Sequence, residues 1–281
     1  MTIKAIVEPG RDQSVGHAHK VGYANRVIKK RSSRCKKKTR RASPMVPMAL
    51  QELFVSCKQV FQAPAGTVPS PPDVKRLCDI LDKMKPEDVG LSGELQFFKP
   101  TTAYNVTPRV TYTTIYQCDK FSGVIPLHNH PEMTVFSKLL LGTMHIKSYD
   151  WVEPATSAGE QASSISSNVR LAKLEADSVF TAPCNTSVLY PTTGGNIHQF
   201  TAITPCAVLD VLGPPYSKQD GRDCSYYKEF PYTAFSNGEL GLAREDGESY
   251  GWLEETEVPE NSEMDGIEYL GPQVDETTCS C

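Results

Sequence analysis

The spacing of apolar residues divides the chain into a charged N-terminal tail, a short helical part and a long β-rich part. Residues 1–45 are polar and charged and show no sustained apolar period, which predicts a disordered tail. Two amphipathic helices are expected next, from Met48 to about Gln62 and from Asp73 to about Lys83, because their apolar residues recur at helical spacing. The Pro-rich residues 64–72 separate these two helices.

The β-rich part begins at about residue 94, where short runs of β-branched and aromatic residues alternate with turn residues. The runs are Val110–Cys118, Thr134–Leu141, Met144–Trp151, Arg170–Glu175, Ser187–Tyr190, Ile197–Thr204 and Ala207–Leu212. So many short strands without helices between them predict a mainly β fold, either a barrel or a double-sheet jelly roll. We expect one domain over residues 46–270, with Tyr250–Leu253 and Ile267–Leu270 packed on the barrel, and a flexible end over residues 271–281.

The net charge of −4 hides a strong asymmetry between the tail and the body of the chain. Residues 1–41 carry thirteen Lys or Arg against two acidic residues, whereas the remainder carries sixteen against thirty-one. The basic cluster Lys29–Arg41 is typical of a nuclear import signal, so the protein is expected in the nucleus and the cytoplasm. A solvated tail and a nucleic-acid-binding arm are the alternatives, and the second is less favoured because no aromatic residue interleaves the cluster.

The sequence shows no segment that would carry the chain into a membrane. No apolar run approaches the length that spans a bilayer, and the N-terminus lacks the apolar stretch of a signal peptide. We therefore expect a soluble intracellular protein with no membrane partner. The nine cysteines are odd in number and scattered in spacing, which favours reduced thiols over disulfides.

Two of the six histidines stand one residue apart in the segment Pro126–Met133. Residues i and i+2 of a strand point to the same face, so His128 and His130 can aim both imidazoles at one point inside a barrel. A third histidine, His198, comes near the end of the β-rich region. Three neutral imidazoles suit a divalent transition metal that does chemistry, so these three residues, here called the histidine trio, are the predicted metal ligands. The alternative is that the first two are unrelated loop histidines.

The order of these motifs follows the two-motif layout of cupins, in which a G-x-x-H element supplies the last metal ligand. That element is Gly195–His198 in this chain. The commonest cupin form also has a glutamate ligand four or five residues after the second histidine, but here those positions hold Thr134 and Val135. We therefore expect a centre of three histidines with no carboxylate ligand.

Four further side chains are of a type that can ligate a metal. Glu132 lies only two residues after the histidine pair, and it is the alternative fourth ligand. His145 is interpreted as a structural histidine in the following hairpin. His17 and His19 repeat the H-x-H spacing, but the predicted tail offers no barrel to hold them, so we interpret them as non-ligands.

Four segments together resemble the plant cysteine oxidases, which are thiol dioxygenases of the cupin superfamily related to animal cysteamine dioxygenase. The segments are Pro126–Met133, Lys138–Trp151, Gly194–His198 and Val208–Tyr216. The resemblance covers roughly residues 48–270 and implies a cupin-type double-stranded β-helix with non-haem ferrous iron, Fe(2+). It also implies that O2 oxidises the N-terminal cysteine of proteins to its sulfinic acid. The implied substrates are hypoxia-response transcription factors, whose product is arginylated and degraded.

Asp210 and Tyr216 are the predicted residues around the metal. Asp210 follows alternating apolar positions, and a buried carboxylate is costly unless it is paired, so it is expected either to orient a histidine ligand or to hold the substrate amine. A surface aspartate on an edge strand is the alternative. For Tyr216 the resemblance implies an outer-sphere hydroxyl near the substrate, and a packing role is the alternative. Cys224 is a candidate for a crosslink to Tyr216, because some thiol dioxygenases carry a Cys–Tyr crosslink.

Three other functions compete with the oxidation of N-terminal cysteine. A dioxygenase for small thiols, cysteamine or free cysteine, is the nearest rival in chemistry. A cupin that only binds a ligand or a partner is the non-enzymatic rival, and the complete histidine trio argues against it. A zinc-dependent cupin isomerase is less favoured still, because such sites usually add a carboxylate ligand.

Overall fold

A computed structural model describes residues 2–7, 46–91, 110–117, 126–152, 168–235, 249–259, 264–266 and 269–279. Both predicted helices are present, as α1 (Met48–Val60) and α2 (Pro71–Leu81). The second helix begins two residues earlier than expected, since proline fits the first turn of a helix. Ser70 caps that turn by accepting the Asp73 N–H at 3.4 Å.

The described residues form twelve strands, and the seven strands expected from the sequence are β2 and β4–β9. The strands are β1 (Thr2–Val7), β2 (Val110–Gln117), β3 (His128–Asn129), β4 (Thr134–Leu141), β5 (Thr143–Trp151), β6 (Val169–Thr181), β7 (Ser187–Leu189), β8 (Ile197–Ala202), β9 (Ala207–Gly213), β10 (Tyr226–Pro231), β11 (Tyr250–Thr256) and β12 (Met264–Gly266). The prediction of a mainly β, cupin-type jelly roll with short N-terminal helices is confirmed.

The strands are arranged in two six-stranded sheets. The first has the order β12-β2-β1-β9-β4-β7, and the second has the order β10-β11-β6-β5-β8-β3. The second sheet closes on itself because β3 pairs with β8 on one side and with β10 on the other. The short strand β3, which carries His128, therefore has a neighbour on each side.

The two helices cover the outer face of the first sheet. Ala207, Leu209 and Val211 of β9 pack there with Leu53 of α1 and Leu77 of α2, in a cluster whose members are all buried. Alternate residues of a strand point to opposite faces, so the even-numbered residues of β9 point away from the helices. The helices thereby fix which face of β9 lines the space between the sheets.

Two apolar clusters fill the space between the sheets. One contains Val208 of β9 and Phe200 of β8, and the other contains Leu212 of β9 and Tyr216. Asp210 is buried and lies on the same face of β9, between Val208 and Leu212. The polar centre described below therefore lies between two apolar layers of the barrel.

The strand β1 was not expected from the sequence. It pairs antiparallel with β9 over Thr2–Val7 and with β2 on its other side. The prediction that residues 1–45 are all disordered is therefore wrong for this segment. Ile3, Ile6 and Val7 are β-branched residues that favour a strand, and pairing on both sides offsets the entropy cost of ordering. Residues 8–45, with His17, His19 and the basic cluster, lie outside the described residues.

The C-terminal segment also differs from expectation. Tyr269 and Val274 pack against the helical cluster, and the backbone of Asp275 exchanges two hydrogen bonds of 2.8 and 2.9 Å with the Gln51 side chain. The flexible end predicted over residues 271–281 is therefore wrong for Val274 and Asp275. The contacts of Tyr269 agree with the expected packing of Ile267–Leu270. Leu270 is 85% exposed, so the expected packing of Ile267–Leu270 is wrong for this residue.

Neither α1 nor α2 is long and apolar enough to cross a membrane, and the described ranges contain no other α-helix.

Candidate metal centre

The fold brings the histidine trio together. His128 on β3 is the register partner of His198 on β8, and His130 directly follows β3. Every pair of imidazole rings has its centroids 4.8 Å apart, and one nitrogen from each ring lies within 4.8 Å of the others. All three side chains are buried. Among the described residues, this is the single group of three or more His, Cys, Asp or Glu side chains that converges in this way.

The geometry and the charge state of the trio both fit a metal ion. The Nε2 atoms of His130 and His198 lie 3.0 Å apart, and two nitrogens at that separation subtend about 90° at a metal roughly 2.1 Å from each. Burial, with the neighbouring His128 as a second cause, holds the pKa of His198 well below its usual value. A neutral imidazole is the form that ligates a metal. The donor set is therefore suited to a divalent transition metal.

The second ring nitrogen of two trio members is already engaged. Nδ1 of His128 lies 2.7 Å from the carbonyl oxygen of Pro126, to which it donates when it carries the proton. Nδ1 of His130 lies 2.9 Å from the Tyr216 hydroxyl. In both residues this arrangement leaves Nε2 for a metal and fixes the plane of the ring.

Tyr216 therefore contacts a predicted ligand directly. Its hydroxyl donates to the carbonyl of Asn129 at 2.8 Å, and its ring lies 5.5 Å from the His130 ring, measured between centroids. Burial raises the pKa of Tyr216 well above its usual value, and Cys224, Tyr226 and Asp210 add to the rise. The phenol is thus neutral and can accept the Nδ1 proton of His130 while it donates its own.

Cys224 lies beside Tyr216, as the proposed crosslink would require. Its thiol is a hydrogen-bonding neighbour of both Tyr216 and Tyr226, and it packs against the apolar cluster that contains Tyr216. Burial is the main cause of the raised pKa of Tyr226, and Cys224 contributes further. The two residues are in contact as separate side chains, and their crosslink stays a prediction.

Asp210 lies near the centre but is not a member of the histidine group. It pairs in register with Ser137 of β4 on one side and with Lys4 of β1 on the other. Its carboxylate is close enough to Tyr216 to contribute to the raised pKa of that phenol. The buried position disagrees with the surface alternative, while the two predicted roles of Asp210 stay predictions.

The remaining candidates lie away from the centre. Glu132 is exposed, with a left-handed backbone (φ 57°), and it does not belong to the histidine group. The chain forms a turn at Pro131 and Glu132. His145 pairs with Asp177 at 2.6 Å in an exposed position, which agrees with its interpretation as a structural residue.

Comparisons with known proteins identify the family of this chain. The PCO_ADO family model matches residues 80–274. The chain is 49% identical to plant cysteine oxidase 2 of Arabidopsis thaliana over 261 residues, which cover 89% of this chain and 92% of that protein. It is 48% identical to plant cysteine oxidase 1 of the same plant, over 81% of each chain. The chain belongs to the PCO_ADO family.

The chain is also similar, at lower identity, to an animal thiol dioxygenase. The chain is 32% identical to 2-aminoethanethiol dioxygenase of Homo sapiens over 235 residues, which cover 73% of this chain and 82% of that protein. As a member of the family the chain is a thiol dioxygenase, which is an oxidoreductase. The family and the buried trio together indicate a metal centre.

The sequence analysis missed two residues of this PCO_ADO centre. Asn196 binds both backbone groups of His130 through its side chain, and Asp150 on β5 binds the backbone N–H groups of Gly195 and Asn196. Asn196 stands between a Gly-Gly pair and a ligand, which is a usable signal. Asp150 is one polar residue in a predicted strand, and the sequence carries no signal that separates it from a surface position.

Proposed function

We propose that this protein uses ferrous iron and O2 to oxidise the N-terminal cysteine of proteins to cysteine sulfinic acid. The single observation that carries the proposal is the buried group of three histidines without a carboxylate ligand, in a chain of the PCO_ADO family. The histidine trio would hold the iron, and the iron would supply the redox chemistry between the substrate thiolate and O2. Such neutral ligands suit an anionic thiolate, which is the reactive form of cysteine.

The chain's own residues orient the ligands and exclude water. Pro126 and Tyr216 hold the rings of His128 and His130 through their second nitrogens. The apolar clusters that contain Phe200 and Leu212 flank the trio and limit the access of water to it. We assign Asp210 to this environment, either as a partner of a histidine ring or as the acceptor for the substrate ammonium.

The reaction balances without an external reductant. The sulfur of cysteine gains two oxygen atoms and loses four electrons, and one O2 molecule supplies both atoms and accepts all four electrons. The product stands on the sulfinic rung of the cysteine oxidation ladder. The enzyme therefore needs iron, O2 and a substrate thiol.

The similarity to the two plant cysteine oxidases favours a protein substrate over a small thiol. Identity to those proteins is 48–49%, whereas identity to 2-aminoethanethiol dioxygenase is 32%. We propose hypoxia-response transcription factors that expose cysteine after removal of methionine as the substrates. Oxidation would then mark them for arginylation and degradation, so the enzyme would act as an oxygen sensor.

The test is an anaerobic incubation of the iron-loaded protein with a Cys-initiated peptide, followed by exposure to O2 and mass spectrometry. We expect the peptide to gain the mass of two oxygen atoms on its first residue. Matched peptides that begin with serine or with N-acetylated cysteine should stay unchanged if both the thiol and the free amine are required. Faster turnover of cysteamine or free cysteine would favour the small-thiol rival. A protein that binds no iron and oxidises no thiol would support the non-enzymatic cupin.

We propose further that the basic cluster Lys29–Arg41 directs part of the protein into the nucleus. Its run of Lys and Arg is the support, because such a cluster is typical of import signals. Deleting the whole tail would be a poor test, since Thr2–Val7 forms a central strand of the first sheet. Substituting the cluster residues leaves that strand intact.

Replacing the Lys and Arg residues of Lys29–Arg41 with glutamine is expected to move a fluorescent fusion from the nucleus to the cytoplasm, because the substitutions remove the charge of the cluster. Turnover of a Cys-initiated peptide should stay close to that of the unaltered protein, because the substitutions change neither the histidine trio nor the strand Thr2–Val7. The matched control replaces Lys75, Lys83 and Lys85, which are exposed residues of the body. Unchanged nuclear accumulation after the cluster substitutions would contradict the import proposal.

A further inference from the structure

The Asn196 side chain makes the two backbone hydrogen bonds that a paired strand would make to His130. In the antiparallel register, His128 pairs with His198 and Asn129 pairs with Ile197. The next pair in the same register would be His130 and Asn196, but β3 ends at Asn129. Instead, Asn196 Oδ1 accepts the His130 N–H at 3.0 Å, and Asn196 Nδ2 donates to the His130 carbonyl at 2.9 Å. A carboxamide has the same donor and acceptor as a peptide group, so it replaces the ladder at this position.

The backbone of Asn196 is held elsewhere. Its N–H donates to Asp150 Oδ1 at 2.9 Å, and the Gly195 N–H donates to both carboxylate oxygens of Asp150 at 2.9 and 3.0 Å. Gly194 and Gly195 have φ values of +83° and +82°, which glycine adopts readily. A Cβ on Gly195 would also collide with Ser148 of β5. The left-handed loop thus presents two successive amides to one buried carboxylate.

The hydrogen-bonding capacity of the Asn196 side chain is used fully at its nitrogen. Besides its bond to His130, Nδ2 donates to the carbonyl of Tyr190 at 2.7 Å. An aspartate at this position would have the same shape but no donor, and its charge would face two carbonyl oxygens. These contacts therefore require an amide side chain at position 196, two residues before His198.

We infer that Asn196 and Asp150 are positioning residues of the metal centre. Asp150 on β5 fixes the loop, the loop fixes the Asn196 amide, and the amide fixes the backbone from which His130 projects. Because His198 follows the same loop by two residues, one network sets the positions of two trio members. Partners that orient a metal ligand typically contribute about 10–100-fold to metal affinity. This inference rests on the metal site of the proposed function.

The test is an anaerobic titration of the metal-free full-length protein with Co(2+), followed by visible absorption, beside thermal unfolding without metal. We expect Asn196→Asp to weaken Co(2+) binding by about 10–100-fold and to change the absorption bands, because His130 is displaced. Asp150→Asn, which keeps the shape and removes one strong acceptor, should give a smaller change in the same direction. If Asn196→Asp does not fold, Asp150→Asn alone tests the inference.

Asp82→Asn is the matched control. Asp82 also binds a loop through several hydrogen bonds, from the Thr186 N–H and hydroxyl at 2.7 Å and from Lys138 Nζ at 3.1 Å, but it lies at the end of α2 outside the histidine group. Its replacement should lower the unfolding temperature and leave Co(2+) affinity and spectrum unchanged.

Three outcomes are informative. Binding and spectra of both network variants equal to those of the unaltered protein would overturn the inference. An equal loss of affinity in Asp82→Asn would also overturn it, because the effect would then follow from general stability. If the unaltered protein itself does not bind Co(2+) or iron, the metal site of the proposed function fails instead.

Discussion

His198→Ala is expected to abolish iron binding and thiol oxidation together. The substitution removes one of three converging imidazoles and leaves two, at a position where the ring is buried and held neutral. Loss of a ligand should exceed the roughly 100-fold loss that follows removal of a ligand's partner. The measurements are iron per chain after anaerobic loading and desalting, and initial rate on a Cys-initiated peptide.

The control for this variant is His145→Ala. His145 lies near the surface, where its Nε2 is 2.6 Å from Asp177 Oδ1, and a surface contact of this kind contributes about 0–1 kcal/mol to stability. We expect full iron content and a normal rate. Should His198→Ala keep its iron and its activity, the histidine trio is not the metal site and the mechanism must be sought elsewhere.

Seven of the twelve strands and the pairing of His128 with His130 on one face followed from the sequence, because both depend on short-range periodicity. The i, i+2 spacing of His128 and His130 predicted that they share one face, although no predicted strand contained them and β3 itself is only two residues long. The third histidine required knowledge of which strand lies opposite, and the cupin layout supplied that. The structure shows the reason, since His128 and His198 are register partners.

Long-range hydrogen bonds could not be read from the sequence in the same way. Asn196 and Asp150 act through backbone groups whose positions depend on a left-handed loop and on the spacing between β5 and β8. The strand Thr2–Val7 was missed for a related reason. Its own signal is six residues long and is followed by a highly charged segment, and its stability comes from pairing with β9, about 200 residues further along the chain.

The buried position of Asp210 on β9 excludes the surface alternative and leaves the two roles predicted for it near the metal. Val208 and Leu212 on either side of it pack between the sheets, so the carboxylate is buried in the layer that also holds the trio. Burial of a charged group is costly unless the group is paired. An anionic Asp210 is therefore best stabilised by a cation, either an imidazole that is polarised by a metal or the ammonium group of a substrate N-terminus.

Asp210→Asn is accordingly expected to lower the rate of cysteine oxidation by about 10–100-fold while the protein stays folded, because asparagine keeps the shape and removes the charge. Ser137→Ala is the control, since Ser137 is the register partner of Asp210 on β4, is also buried, and carries no charge. Iron content and peptide turnover, measured on the same samples, separate the two roles of Asp210. A parallel loss of iron would assign it to the orientation of a histidine ligand. Normal iron with a raised KM for the peptide would assign it to the substrate ammonium, and a variant with normal iron and a normal rate would remove Asp210 from the site.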